Sequence, residues 1–324
     1  MSASAQADSP QATAESVADF LRRVRTGIEG GLDPVTAANR AAEELPQRLA
    51  RLVQLLSRRV RGDYHEDEWG FDEEFAEAVY PVFDFLYEAW WRVDAVGVRN
   101  VPAHGRALLV SNHAGSLFPF DASMILLAIM KQHPLPRWAR FLVLDWAFVL
   151  PFISAFMRRV GGVPASKHNA ARLLEQDEVV MVFPEGVKGT GKQFSERYRL
   201  QRFGRGGFVE VALRTGSPIV PVAVVGSEEI YPKLGNARPV ARAVGAPFVP
   251  ITPTFPWLGP LGLVPLPSKW RIEFCEPIDL SAHGPDAADD PRLLFDVSEQ
   301  VRETIQARLY ENLVERRAAF FHPL

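Results

Sequence analysis

The sequence predicts an α/β fold, a mixed and largely parallel central sheet flanked by helices, with an N-terminal helical appendage. Three observations predict it. From about residue 86 onward, short apolar runs alternate with helix-length segments, while the residues before that point read as helices. Two of the apolar runs end in loops dense with side chains that carry chemistry. With 324 residues the chain can bury a sizeable core as one large domain plus an appendage.

Residues 1–15 are rich in Ala, Ser and Gln and read as disordered; they lack the charged start and apolar centre of a signal peptide. Helices are expected over 16–29 and 34–60, the second with Asp33 as cap and Pro34 in its first turn. Leu45, Leu49, Leu52, Leu55 and Leu56 line one face of that second helix. An acidic run over 63–77, with eight carboxylates, reads as a solvated face. It leads into an aromatic helix, Tyr80 to Trp91. Strands are then expected at Arg92–Val96, Ala107–Val110, Arg140–Leu144, Val179–Phe183, Ile219–Val225 and Trp270–Phe274. Helices are expected at 122–132, 146–158, 168–176, 207–215 and 291–318, the last opened by Asp290-Pro291. The expected divisions are thus 1–15, 16–85 and 86–324.

Composition excludes several classes. Apolar residues make up 47%, charged residues 23% and the net charge is −3, so a polybasic nucleic-acid binder is ruled out. The average hides a basic run: residues 188–205 hold six Lys or Arg against Glu196 alone, which suits an anionic ligand or a lipid headgroup. Cys275 is the single cysteine and the seven His lack ligand spacing, so neither a disulfide within the chain nor a metal is expected. A cytoplasmic location is the default. From Ala243 to Ser268 there are 26 residues without a charge, long enough to span a bilayer. Seven prolines in that stretch forbid a spanning helix, which leaves a surface-lying or acyl-covering loop, or a proline-rich loop packed over the core. Trp146 to Met157 is apolar but too short to cross.

The first chemical motif is Ser111-Asn112-His113-Ala114-Gly115-Ser116-Leu117-Phe118-Pro119-Phe120-Asp121, between a strand and a helix. An imidazole at a strand end, with a carboxylate on its second nitrogen, has a fixed tautomer and is a better base. The alternative is a turn in which Asp121 only caps its helix and His113 sits satisfied in the fold. Seven residues separate the two, and a fully extended link would hold them about 26 Å apart. Residues 115–119 must therefore loop out, which Gly115 and Pro119 permit.

The second motif runs from Glu178 to Lys192, a strand entering a glycine-rich basic loop. Its last seven residues, Gly186 to Lys192, satisfy the GxxxxGK pattern of nucleotide hydrolases. Gln193 stands where that loop needs a metal-binding hydroxyl, and no apolar helix follows, so a phosphate cradle is disfavoured. The competing unit is Phe183-Pro184-Glu185-Gly186. There Pro184 stops the strand, Glu185 sets a carboxylate at its tip, and Gly186 lets a ligand approach the backbone.

Together these blocks resemble the glycerolipid (lysophospholipid) acyltransferase family, which pairs a His-x4-Asp motif with a downstream Phe-Pro-Glu-Gly motif. Gly162-Val163-Pro164-Ala165-Ser166-Lys167 stands where the family has a glycine-rich strand ending in Arg, and Pro218-Ile219-Val220-Pro221-Val222 matches a late Val-Pro block. Phe203-Gly204-Arg205-Gly206 resembles the basic turn between the last two. The resemblance covers residues 92–275 and implies transfer of a fatty acyl group from acyl-CoA or acyl carrier protein to a lipid hydroxyl. It further implies that His113 is the general base and that Asp121 holds its ring. Phe183, Pro184, Glu185 and Gly186 would shape the acceptor site, with Glu185 and Gly186 orienting the acceptor. Lys167, Lys188 and Arg205 would meet phosphate. The thioester is already activated, so no cofactor or metal is needed. The implied partners are the acyl thioester, a lipid acceptor such as lysophosphatidate and a membrane surface touched peripherally.

Two departures from the family pattern matter. The His-to-Asp gap is seven residues instead of four, and Val187-Lys188 replaces an expected Arg. The second opens a neutral acceptor, diacylglycerol or a long-chain alcohol. The first motivates a different class, a non-catalytic lipid-binding or scaffold protein of the same fold. The chain has no Gly-x-Ser-x-Gly elbow, which weighs against a serine hydrolase.

Overall fold

A computed structural model describes residues 10–45, 50, 53, 54, 57, 58, 60–62, 65–114, 118, 120–149, 153–243, 247–316 and 318–320. The chain divides into two compact units, 1–81 and 82–324.

In the first unit, α1 (Pro10–Glu29) and α2 (Pro34–Ala42) pack through small residues: Ala37, Ala41 and Ala42 are buried, and Gly27 meets Ala37. Asp33 caps α2 as expected, accepting from the Val35 and Thr36 N–H groups at 3.1 and 3.0 Å. Two expectations change. Residues 10–15 are helical instead of disordered, Pro10 suiting a first helical turn, whereas residues 1–9 lie outside the described residues. The helix expected over 34–60 is interrupted: α2 ends at Ala42, Pro46 disfavouring helical backbone at Leu45, and the described residues 50, 53, 54, 57, 58 and 60 are helical again. Of its leucine stripe, Leu49, Leu52, Leu55 and Leu56 lie outside the described residues. The acidic run is more than a solvated face: buried Asp72 accepts from the Phe75 N–H at 2.8 Å and starts α3 (Glu73–Phe85).

In the second unit the strands are β1 (Asp94–Val96), β2 (Ala107–Ser111), β3 (Ala139–Val143), β4 (Gly162–Pro164), β5 (Val179–Val182), β6 (Ile219–Val225), β7 (Gly235–Asn236), β8 (Pro250–Ile251) and β9 (Arg271–Phe274). Seven form one sheet in the order β1-β9-β6-β2-β5-β3-β4. Strands β6, β2, β5, β3 and β4 run parallel, β9 lies antiparallel to β6, and β1 is parallel to β9. The sheet is therefore mixed and largely parallel. Every residue of β2, β5 and β6 is buried, which is why these strands read as unbroken apolar runs and not as alternating ones. Strand β4, read above as a motif block, forms the far edge, and β7 with β8 makes a small separate ladder.

The α-helices that follow α3 are α4 (Asp121–Gln132), α5 (Asp145–Val149), α6 (Ile153–Arg159), α7 (Lys167–Glu175), α8 (Val187–Thr190), α9 (Gly207–Thr215), α10 (Arg238–Ala243) and α11 (Pro291–Arg316). The single helix expected over 146–158 is two, α5 and α6, with residues 150–152 outside the described residues. Helix α11 buries Val297, Val301, Ile305 and Leu309, a stripe at helical spacing. Trp91 stacks on Trp270 with ring centres 4.8 Å apart, and its Nε1 donates to the Leu266 carbonyl.

Candidate active site

Parallel strands place their following loops at one end of a sheet, and this sheet does so with both motifs. Val110 of β2 pairs with Val182 of β5, so His113 and Phe183 emerge side by side. Their rings stack with centres 4.5 Å apart at 27°. On the other flank of β2, the Asn112 side chain donates to the Val224 carbonyl and accepts from the Val224 N–H, at 2.9 and 2.8 Å. That clamp continues the β2–β6 pairing one residue past the strand and aims the next residue, His113, outward.

The two ends of the looped-out segment meet. His113 Nδ1 lies 2.8 Å from Asp121 Oδ2; the carboxylate is fully buried and the imidazole 15% exposed. Residues 115–117 and 119 between them lie outside the described residues. Asp121 does more than cap α4. Its Oδ1 accepts from the Ala122 N–H at 3.0 Å, while Oδ2 also accepts from the Ala114 N–H at 3.0 Å. A carboxylate can only accept here, so Nδ1 carries the proton and Nε2 presents a lone pair. Among the described residues Nε2 has no hydrogen-bond partner.

Glu185 is held by the protein itself. Its side chain is fully buried, and both oxygens are engaged by the protein. Oε1 accepts from the His113 N–H at 3.0 Å; Oε2 accepts from the Gln201 N–H at 2.7 Å and lies 3.3 Å from Lys192 Nζ. It holds the His113 backbone. Gly186 has φ +53°, a region only glycine occupies freely, and open space lies where its side chain would be. Phe183 and Pro184 are half-buried beside it.

The basic residues are dispersed. Lys167 opens α7 and pairs with Glu210 of α9; Lys188 is exposed on α8; Arg205 is exposed in the loop before α9. Among the described residues none of the three bonds to His113 or Asp121. Lys188 adjoins Gly189, where an added Cβ would meet both His113 and Glu185.

Sequence reasoning missed Asn112, Gly189, Glu228 and the role of Lys192. The GxxxxGK pattern singled out Lys192 for the wrong reason: its ammonium points inward, 2.9 Å from Glu228 Oε1. A signal was available in the Glu228-Glu229 pair that follows β6, since neighbouring acids at a buried strand end call for cations. Glu229 finds one in Arg316 at 2.6 Å and also accepts from the Tyr198 hydroxyl at 2.6 Å. Tyr198 has φ +63°, unusual for a bulky residue, and is held there by its N–H on Glu228 and by Gln306 on its carbonyl.

Burial, then the neighbouring Glu229, pushes the Tyr198 phenol well above its ordinary value. Burial alone would lower Lys192, but Glu228 and Glu185 reverse it and the ammonium ends above its usual range. Burial also raises Tyr87 and Tyr231. Each group keeps its proton in the folded chain at a pH where the unfolded chain releases it. The stability they contribute is present below about pH 10 and is lost as pH rises through the folded values. The melting temperature is expected to fall from pH 9.5 to about 11.5; a flat profile across that interval contradicts this.

With the geometry in place, comparison with known proteins places the chain. Residues 92–225 match the Acyltransferase family. An uncharacterized protein of Mycobacterium tuberculosis is 47% identical over 312 residues, 96% of this chain and 87% of that one. A chloroplastic 1-acyl-sn-glycerol-3-phosphate acyltransferase of Arabidopsis thaliana is 28% identical over 154 residues, 44% of this chain and 38% of that one. The crystal structure of the 1-acyl-sn-glycerophosphate acyltransferase of Thermotoga maritima aligns with a TM-score of 0.47 at 18% identity, covering 92% of this chain and 95% of that one. The chain belongs to the Acyltransferase family. It is an acyltransferase.

Proposed function

We propose that the enzyme moves a fatty acyl group from acyl-CoA or acyl carrier protein to the hydroxyl of a glycerolipid such as lysophosphatidate, with His113 as general base. The observation that carries this reading is the 2.8 Å contact of His113 Nδ1 with buried Asp121, which leaves Nε2 open. Nε2 takes the proton of the acceptor hydroxyl as its oxygen attacks the thioester carbonyl carbon. The C–S bond then breaks, and the leaving thiolate recovers the proton from the imidazolium. No metal or cofactor enters, because the thioester supplies the activation and the protein supplies position and a base. An apolar cavity of about 230 Å³ bounded by Leu108, Leu142, Val182, Phe208 and Val211 supports seating part of the acyl chain against the sheet.

The exposed cations Lys188, Arg197, Arg199, Arg202 and Arg205 favour an acceptor bearing phosphate. Lysophosphatidate, diacylglycerol and a fatty alcohol, each incubated with acyl-CoA and followed by lipid mass spectrometry, test it. Phosphatidate should dominate; product from the neutral acceptors alone would reject the phosphorylated class.

A membrane surface is the partner this chemistry requires, and the 252–266 stretch is the part of the chain suited to it. Tyr231 OH donates to the Leu263 carbonyl at 2.6 Å and the Leu266 N–H to the Ile230 carbonyl at 2.9 Å, which anchors the stretch just past β6, at the sheet end that carries His113. Trp257 is 74%, Leu258 57% and Leu261 72% exposed, with no charge among them. Exposed Arg238 and Arg242 on nearby α10 suit anionic headgroups. Among the described residues no helix is long and apolar enough to cross a membrane. Replacing Trp257 and Leu261 together by Ser should weaken co-sedimentation with phosphatidylglycerol vesicles by more than about tenfold. Wild-type protein that stays wholly in the supernatant at low salt would end the idea.

A further inference from the structure

We infer that Lys192 is a positioning residue for the transfer reaction: its buried ammonium keeps Glu185 a double acceptor, and Glu185 thereby holds the backbone of His113 in register with Asp121. This rests on the reading of His113 as the base. It also gives the lysine of the GxxxxGK pattern a part in catalysis beyond balancing the charge of Glu228.

The geometry is a short chain of contacts. Lys192 is 8% exposed, and its Nζ lies 2.9 Å from Glu228 Oε1, 3.3 Å from Glu185 Oε2 and 3.3 Å from the Arg199 carbonyl. Glu185 is pinned on its other side by the N–H groups of His113 and Gln201. A buried carboxylate without a cation is costly and escapes the cost by taking up a proton. A protonated Glu185 would offer a hydroxyl where it now offers an acceptor, and one of its two backbone N–H partners would be left unmatched. One of those two is His113. Its ring is set from both ends, by Asp121 through Nδ1 and by Glu185 through the main chain, and only the second depends on Lys192.

Glu228 supplies the other half of the device. It holds the Lys192 ammonium and accepts from the Tyr198 N–H at 2.9 Å, so the 198–201 segment that donates to Glu185 is fixed by the same cluster. Two carboxylates share one ammonium, and burial, only partly offset by Lys192, raises Glu228 above the ordinary carboxylate range. The surplus negative charge separates two possible jobs for Lys192: offsetting Glu228 or preparing Glu185.

The test compares Lys192→Met with Lys192→Met/Glu228→Gln, scaled by folded fraction from circular dichroism. The double variant removes the surplus carboxylate and carries the test if the single variant does not fold. In both, kcat should fall by at least about tenfold while KM changes by less than about twofold, the pattern of a misplaced base with intact binding. If the double variant regains wild-type kcat, or either variant keeps it, the lysine serves only to balance charge and the inference is wrong. His113→Ala assayed alongside separates the two readings. Turnover surviving there sinks the base assignment and this inference with it, whereas turnover lost there but normal in the lysine variants sinks the inference alone.

Discussion

Replacing His113 by Ala is expected to lower acyl transfer by about 10²- to 10⁴-fold while the protein stays folded. Without an imidazole, the acceptor hydroxyl must attack the thioester with its proton still attached, and water has no preset geometry to remove it. The fold should tolerate the change because the partners left behind are not orphaned. Asp121 still accepts from Ala114 and Ala122, and Glu185 still accepts from the main-chain N–H of residue 113. Asp121→Asn makes the companion measurement. Asn can still accept from the Ala122 N–H at the start of α4, but its NH2 then faces the Ala114 N–H and His113 Nδ1 where Oδ2 accepts now, so the melting temperature should fall by a few degrees while the Nδ1–H loses its charged acceptor. If Asp121 were only a helix cap, that variant would turn over like wild type. If the pair works as a unit, both variants lose activity and neither loses its melting transition. A His113→Ala protein that transfers acyl groups at the normal rate would remove the basis for the proposed chemistry.

Gly189→Ala is the second large effect expected, and it arises from space alone. Gly189 lies in α8, where an Ala backbone is at ease, but its Cβ would stand 2.7 Å from the His113 carbonyl oxygen and 2.7 Å from Glu185 Cβ. Neither neighbour can yield cheaply: the first is main chain, the second a fully buried side chain with both oxygens engaged. The His113 backbone must shift by several tenths of an ångström, and a misplacement approaching 1 Å can cost on the order of 10²-fold in rate. The expected result is a 10- to 100-fold lower kcat with a melting temperature lowered by a few degrees, the usual scale for overpacking. Gly284→Ala, which adds a methyl group to open space, is the control and should be neutral. Wild-type kcat in Gly189→Ala would mean that the contact between α8 and the His113 loop is not needed for catalysis.

Some of this molecule is legible because local rules suffice. β6 was read at Ile219–Val225 without error, and α9 at 207–215, because a buried parallel strand is an unbroken apolar run and α9 is bracketed by Gly206 and Gly216. Boundaries failed where a proline or a masked periodicity intervened, as at Ala42 in α2. Glu185 shows what local rules leave out. A carboxylate at a strand tip reads as a ligand group, and nothing local says that two N–H groups and an ammonium from other parts of the chain already occupy it.

Composition and periodicity were enough to assign the α/β class, and the ordered motifs carried the family resemblance and pointed to the His113–Asp121 pair, since each depends on residue type and on neighbours close in the chain. The closing of the seven-residue gap to 2.8 Å, the contacts of Glu185 and the inward turn of Lys192 came from packing. Residues 113, 185, 192 and 228 meet only because parallel strands bring their C-terminal loops to one edge of the sheet. Contacts of that kind join positions with no sequence relation, and the cost of burying charge then dictates which side chains face inward and which stay free for substrate.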